Sequence, residues 1–179
     1  MRVGIDFDGV IAQLPDEFFH DHLRKIRVCL EDLEHGRYGA FTRVFDNFIR
    51  IHKPPIIIIP SAIQAIARLQ AQGAKVFIVT ARSEISFAPV MEILPAYSEI
   101  NWRQVTIVTT AGEPKSRPIF RSEINWHVDD SAQVHDEVLQ SVPSVQGIFF
   151  PSARMHFEPY TPHERLSVPH EINNGIVPQ

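Results

Sequence analysis

Met1-Arg2-Val3-Gly4-Ile5-Asp6-Phe7-Asp8-Gly9-Val10 opens the chain as an apolar strand that ends in two carboxylates one residue apart. Alternate residues of a strand point to the same side, so Asp6 and Asp8 can converge on one small volume where the chain turns at Gly9. Two carboxylates held there repel each other and lose hydration, and a cation is the natural remedy. A strand that merely ends in a polar turn more often carries a single Asp or Asn. Further along, Lys75-Val76-Phe77-Ile78-Val79 is a second apolar run, ending in Thr80-Ala81-Arg82. Val105-Thr106-Ile107-Val108 is a third, followed by Thr109-Thr110-Ala111-Gly112 and then Lys115. Asn125-Trp126-His127-Val128 is a fourth, ending in Asp129-Asp130-Ser131.

Continuous apolar runs separated by helix-length segments predict buried parallel strands of an α/β sheet with helices on both faces. Ligands of such sheets bind at the carboxyl ends of the strands, and every polar group just named lies there or shortly after. The bulk properties agree with one domain. The 179 residues suffice for a sizeable core plus a modest insertion. A formal charge of −4, with no dense Lys/Arg run, argues against a nucleic-acid polymer as partner. The single cysteine, Cys29, excludes an internal disulfide and a cysteine-based metal cluster, and its apolar helical setting reads as a packed thiol. No run reaches membrane-spanning length, and the N-terminus enters its strand without a signal-peptide pattern. The expectation is a soluble cytoplasmic protein.

Between the first two strands the period changes. Phe18, Phe19, His22, Leu23, Ile26, Leu30 and Leu33 recur at helical intervals from Pro15 to about His35. Gly36 and Gly39 break that pattern, Phe41, Val44, Phe45, Phe48 and Ile49 form a second apolar set, and Pro54-Pro55 closes it. Two helices and two breaks exceed what one crossover needs, so residues 12–55 are expected to form a small helical insertion. The core is then 1–11 and 56–150. Ile56-Ile57-Ile58-Ile59 remains open between a short strand, a hinge and an apolar ledge. Helices are predicted from Pro60 through about Gln72, at Phe87–Leu94 and at Ala132–Leu139, with Gly147–Phe150 as a last strand. From 151 to 179, five prolines punctuate a polar tail without clear period.

Asp6-x-Asp8-Gly9-Val10, Thr80 after a strand, Lys115, and Asp129-Asp130 after another strand together resemble the four motifs of the haloacid dehalogenase (HAD) superfamily. The resemblance covers roughly residues 1 to 150. It implies a HAD-like Rossmannoid sheet, with the insertion as a cap over the site, and a phosphatase that uses Mg2+. Asp6 is then the nucleophile and Asp8 the general acid and base, as befits a carboxylate two residues away. The implied metal ligands are Asp6, the Asp8 backbone carbonyl and Asp129, a hard-oxygen set suited to magnesium. Asp130 either binds a water on that metal or orients Lys115. Thr80, with nearby amides such as that of Ala81, is placed to bind the transferring phosphoryl group, and Lys115 to neutralise it and Asp6. Arg82 stands where it can reach a substrate phosphate or pair with a surface acid. Alone, Thr80 also reads as a helix cap, Lys115 as a loop lysine and Asp129-Asp130-Ser131 as a capping turn.

An acid at position 8 resembles the phosphatases rather than the dehalogenase branch, and Gly9-Val10 differs from the Asp-Lys-Thr-Gly of ion pumps; mutases share the Asp-x-Asp. Within the insertion, His20, His22, Arg24, Phe41 and Arg43 are the candidate specificity residues. Nine histidines show no metal-ligand spacing. The segment from Pro60 to Arg82 resembles the 5'(3')-deoxyribonucleotidase-like branch, which points to a nucleoside monophosphate as the small-molecule phosphomonoester. A sugar phosphate is the alternative substrate, and a non-catalytic phosphate-binding or regulatory domain the alternative function.

Overall fold

The computed structural model describes residues 1–15, 18, 22, 28, 31, 32 and 37–150. The tail, Cys29, His20, Arg24 and most of the helix expected over Pro15–His35 lie outside the described residues. Five strands form the main sheet: β1 (Arg2–Ile5), β4 (Lys75–Thr80), β5 (Val105–Thr109), β6 (Trp126–Asp129) and β7 (Gln146–Phe149). Their order is β5-β4-β1-β6-β7, and every pairing is parallel. The strands predicted from apolar runs are all present, within a residue or two at their ends.

Alternation explains how both faces are covered. In β4, Val76 and Ile78 enter one apolar cluster while Phe77 and Val79 enter another. The first cluster gathers Val3, Ile5 and Phe7 with Ile63 and Ile66 of α2 (Pro60–Ala71) and Phe87 and Val90 of α3 (Glu84–Ile93). The second holds Ile119 of α4 (Ser116–Arg121) and Val138 of α5 (Ala132–Ser141). Each fully buried Ile or Phe stabilises the fold by roughly 1.5–3 kcal/mol, so two-faced burial is what makes these strands apolar throughout.

The isoleucine run resolves as a strand. β3 (Ile57–Ile58) pairs antiparallel with β2 (Ala12–Gln13), making a two-stranded ribbon. Between them, α1 (Tyr38–His52) buries Phe41, Phe48 and Ile49, members of the apolar set read from the sequence. Phe41 stacks on Phe45 at 5.3 Å. It is thus a packed residue in this structure, and Arg43 beside it is exposed.

Candidate active site

Four strand ends meet. Just beyond its last residue, Ile5, β1 delivers Asp6, Phe7 and Asp8. Phe7 is fully buried and meets the edge of Phe87 at 5.0 Å, so the backbone between the two carboxylates is anchored in the core. Ile11 and Ala12 both donate N–H to the Phe7 carbonyl at 2.9 Å, closing the turn. Gly9 has φ of +87°, and a Cβ built there would run into the Asp130 carboxylate. Glycine is therefore required twice over, by backbone conformation and by space.

Lys115, at the start of α4, is the hub. Its Nζ lies 2.7 Å from Asp6 Oδ1 and 2.8 Å from Asp129 Oδ2, and its side chain is only 5% exposed. The loop lysine of the sequence reading is therefore a buried bridge between two strand ends. Burial alone would lower its pKa; Asp129 and Asp6 override that and raise it, so it stays charged. Asp6, Asp129 and Asp130 present carboxylate oxygens within 4.8 Å of one another. Burial pushes the Asp6 carboxyl well above the ordinary range; Lys115 opposes this, and Asp129, Asp130 and Asp8 add to it. Asp129 goes the other way. Burial would raise it, but Lys115 and His127 hold it well below the usual carboxylate range. Lys115 bridges Asp6 and Asp129, and with Asp130 beside them the carboxylates form an all-oxygen set of the kind that suits a hard divalent cation.

Thr80 is fully buried at the end of β4. The capping alternative for it does not hold, because Ser83 caps α3, accepting from Ile85 N at 3.1 Å and Ser86 N at 3.3 Å. Thr80 Oγ1 instead accepts from Arg82 N at 3.2 Å, which leaves its own proton to donate. Ala81 and Arg82 are tied to the loop after β5: Gly112 N donates to the Ala81 carbonyl at 2.8 Å and Ala111 N to that of Arg82 at 3.2 Å. The turn after β6 plays two parts. Ser131 caps α5, and its N–H donates to Asp129 Oδ1 at 2.9 Å, fixing that carboxylate.

Two features were not foreseen. Arg82 pairs with Asp8 itself: Nε donates to Oδ2 at 2.8 Å and Nη2 to Oδ1 at 2.7 Å. His127 is fully buried with Nε2 3.1 Å from Asp129 Oδ2, and burial lowers its pKa, so it is neutral. The signal for it was present, since 127 and 129 share one side of a strand. Helix α1 touches the site loops. Asp46 Oδ1 accepts from Ser83 Oγ at 2.7 Å, and Thr42 Oγ1 donates to the Ala111 carbonyl at 2.6 Å. A cleft of about 300 Å³ between β5 and α4, lined by Thr109, Thr110, Glu113, Arg117 and Arg121 among others, includes none of the carboxylates of the strand-end cluster.

Comparison with protein-family models and with curated proteins finds no match. Comparison with solved structures does. A dehalogenase crystal structure aligns with TM-score 0.59 at 10% identity, covering 83% of each chain. A HAD family enzyme from Bacteroides thetaiotaomicron, solved as a magnesium complex, aligns with TM-score 0.56 at 12% identity, covering 85% of this chain and 93% of that one. The chain has the HAD fold. The HAD domain of an effector protein from Legionella pneumophila, in an inactive mutant, aligns with TM-score 0.50 at 16% identity over 86% of both chains. Identities this low speak to the fold, and the chemistry must be argued from the HAD-fold site itself. Among the described residues, no helix is long and apolar enough to cross a membrane.

Proposed function

We propose that this HAD-fold chain is a magnesium-dependent phosphomonoester hydrolase that works through an aspartyl-phosphate on Asp6. The observation that carries the reading is Lys115 bridging Asp6 and Asp129, at 2.7 and 2.8 Å, inside a cluster of three carboxylates. A buried cation touching the would-be nucleophile on one side and an acid cluster on the other is arranged to accept a phosphoryl group there. Asp6, Asp129 and Asp130, with the Asp8 backbone carbonyl, would hold the magnesium ion. Bound there, it would offset the charge of the carboxylates and of the phosphoryl oxygens. The Bacteroides enzyme of the same fold, itself a magnesium complex, supports that choice of cation.

In this reading Asp6 attacks phosphorus as the ester bond breaks, and Asp8 gives a proton to the departing oxygen. Asp8 then takes a proton from the water that attacks phosphorus, and the bond to Asp6 breaks. Thr80 Oγ1 and the Ala81 amide bind phosphoryl oxygens, and Lys115 neutralises Asp6 before the attack and a phosphoryl oxygen after it. Residues 12–55, with α1 resting on the loops at Ser83 and Ala111, act as a cap that excludes water. A nucleoside monophosphate is the first candidate substrate, and a sugar phosphate or other small phosphomonoester the alternative.

The test is phosphate release from a panel of deoxynucleoside monophosphates, sugar phosphates and aryl phosphates, with and without magnesium. Magnesium-dependent turnover that disappears in Asp6→Asn is the expected result, and the preferred ester identifies the substrate class. Folded protein that binds magnesium yet turns over no ester would favour the phosphate-binding reading.

A further inference from the structure

Proton transfer to a leaving oxygen demands that Asp8 present one carboxyl oxygen within hydrogen-bond reach, and an aspartate at a strand end can ordinarily rotate away. Here both oxygens are gripped. Arg82 Nε donates to Oδ2 at 2.8 Å and Nη2 to Oδ1 at 2.7 Å, a planar fork on a planar carboxylate. The fork is itself fixed from three directions. Nη1 donates to the Ser86 carbonyl of α3 at 3.1 Å. The guanidinium carbon lies 5.2 Å from the ring centroid of Phe7, beside Asp8 in the chain. It also lies 5.6 Å from that of Phe45, which belongs to α1 of the insertion. Arg82 is 2% exposed, and Nε, Nη1 and Nη2 all donate within the protein, which is poor provision for a substrate contact.

We propose that Arg82 is a positioning residue that sets the Asp8 carboxyl for proton transfer, and that it does so fully only while α1 is seated against it through Phe45. Cap docking and orientation of the acid are then one event. The fork holds both Asp8 oxygens in one plane, which sets the direction from which the carboxyl meets the ester or the water. Contacts beside the pair hold the cap in the same place: Asp46 meets Ser83, the residue after Arg82, at 2.7 Å, and Thr42 meets Ala111, whose N–H donates to the Arg82 carbonyl. A lysine would keep the charge but cannot grip two oxygens in one plane.

This role rests on the phosphatase reading, and two probes separate the fates of the two. The nitrophenolate of p-nitrophenyl phosphate departs without a proton, whereas the alkoxide of glycerol 3-phosphate needs one. In Arg82→Lys, kcat on glycerol 3-phosphate should fall about 100-fold with KM nearly unchanged, while kcat on p-nitrophenyl phosphate falls less than about 10-fold. Phe45→Leu, which leaves both charges of the pair in place, should show the same bias in weaker form. Should Arg82→Lys fail to fold, Arg82→Gln takes its place in the same comparison of the two esters. Equal losses on the two esters, or a raised KM with kcat retained, would overturn the role of Arg82 while leaving the phosphatase reading intact. A Phe45→Leu variant without bias would overturn the coupling to the cap. Absence of turnover in the wild type on these two esters and on every ester of the panel would overturn the phosphatase reading, and this one with it.

Discussion

Asp6 sits under opposing electrostatic demands, and its consequences are readable in pH. Burial, joined by Asp129, Asp130 and Asp8, raises its carboxyl against the pull of Lys115. A carboxyl raised by folding contributes stability that is full below its unfolded pKa of about 3.9 and is lost as pH rises through the folded value. The metal-free protein should therefore lose stability on going from about pH 4 toward neutrality through this residue. Asp6→Asn should remove that decline and raise Tm near neutral pH by a few degrees while abolishing turnover, as urea melts at several pH values and phosphate release would show. Asp8→Asn tests a different property. It keeps the hydrogen-bonding shape toward one Arg82 nitrogen but cannot serve as acid or base, and turnover should drop by about 10²–10⁴ in protein that remains folded. Unchanged turnover would remove Asp8 from the chemistry. Gly9→Ala places a Cβ on the Asp130 carboxylate at a φ of +87°, so it should destabilise by more than about 1 kcal/mol and weaken magnesium binding together, both measurable on one protein sample.

At the scale of the element, α3 and α1 meet at one residue, the Ser83 that caps α3. Ser83 accepts from two N–H groups of the first turn of α3 and donates to Asp46 of α1. Ser83→Ala removes the cap of one helix and the docking contact of another at a single position. A loss of about 1–2 kcal/mol in equilibrium unfolding is expected, and Ser83→Asp, which has no proton to donate to Asp46, should restore the cap without the contact. α3 carries Pro89 in its interior and ends at Ile93, which a propensity argument alone would not have extended back to Glu84. The N-cap decided it: Ser83 with Ser86 forms a reciprocal pair of the capping-box kind, using Ser in place of the usual Glu or Gln. The isoleucine run shows the opposite limit. Four consecutive isoleucines have no period, and only pairing with Ala12–Gln13, more than forty positions away in the chain, made two of them a strand.

For the whole molecule, three carboxylates and one lysine at the joined strand ends make the native state a better cation binder than the unfolded chain. Magnesium at about 100 times its Kd should add about 2.7 kcal/mol of stability, read as a rise in Tm that Asp129→Asn abolishes. A Tm indifferent to magnesium would contradict the metal site independently of any activity. The affinity should grow with pH, because the raised Asp6 carboxyl must lose its proton to ligate.

Sequence alone was sufficient for the sheet and for placing a set of polar groups at one edge of it. Strands buried on both faces must be continuously apolar, and parallel connection places all their carboxyl ends together, so Asp6, Asp8, Thr80, Lys115 and Asp129 could be assigned to one edge before their distances were known. What tertiary structure decided is which of those groups touch. The pairing of Arg82 with Asp8 spans 74 positions, and that of Lys115 with Asp129 crosses from one strand end to another. No period or spacing encodes such contacts, because they depend on which strands lie side by side. His127 behind Asp129 and Phe45 over Arg82 belong to the same class: residues that read as ordinary core in the chain, and whose meaning comes from the charge that folding lays against them.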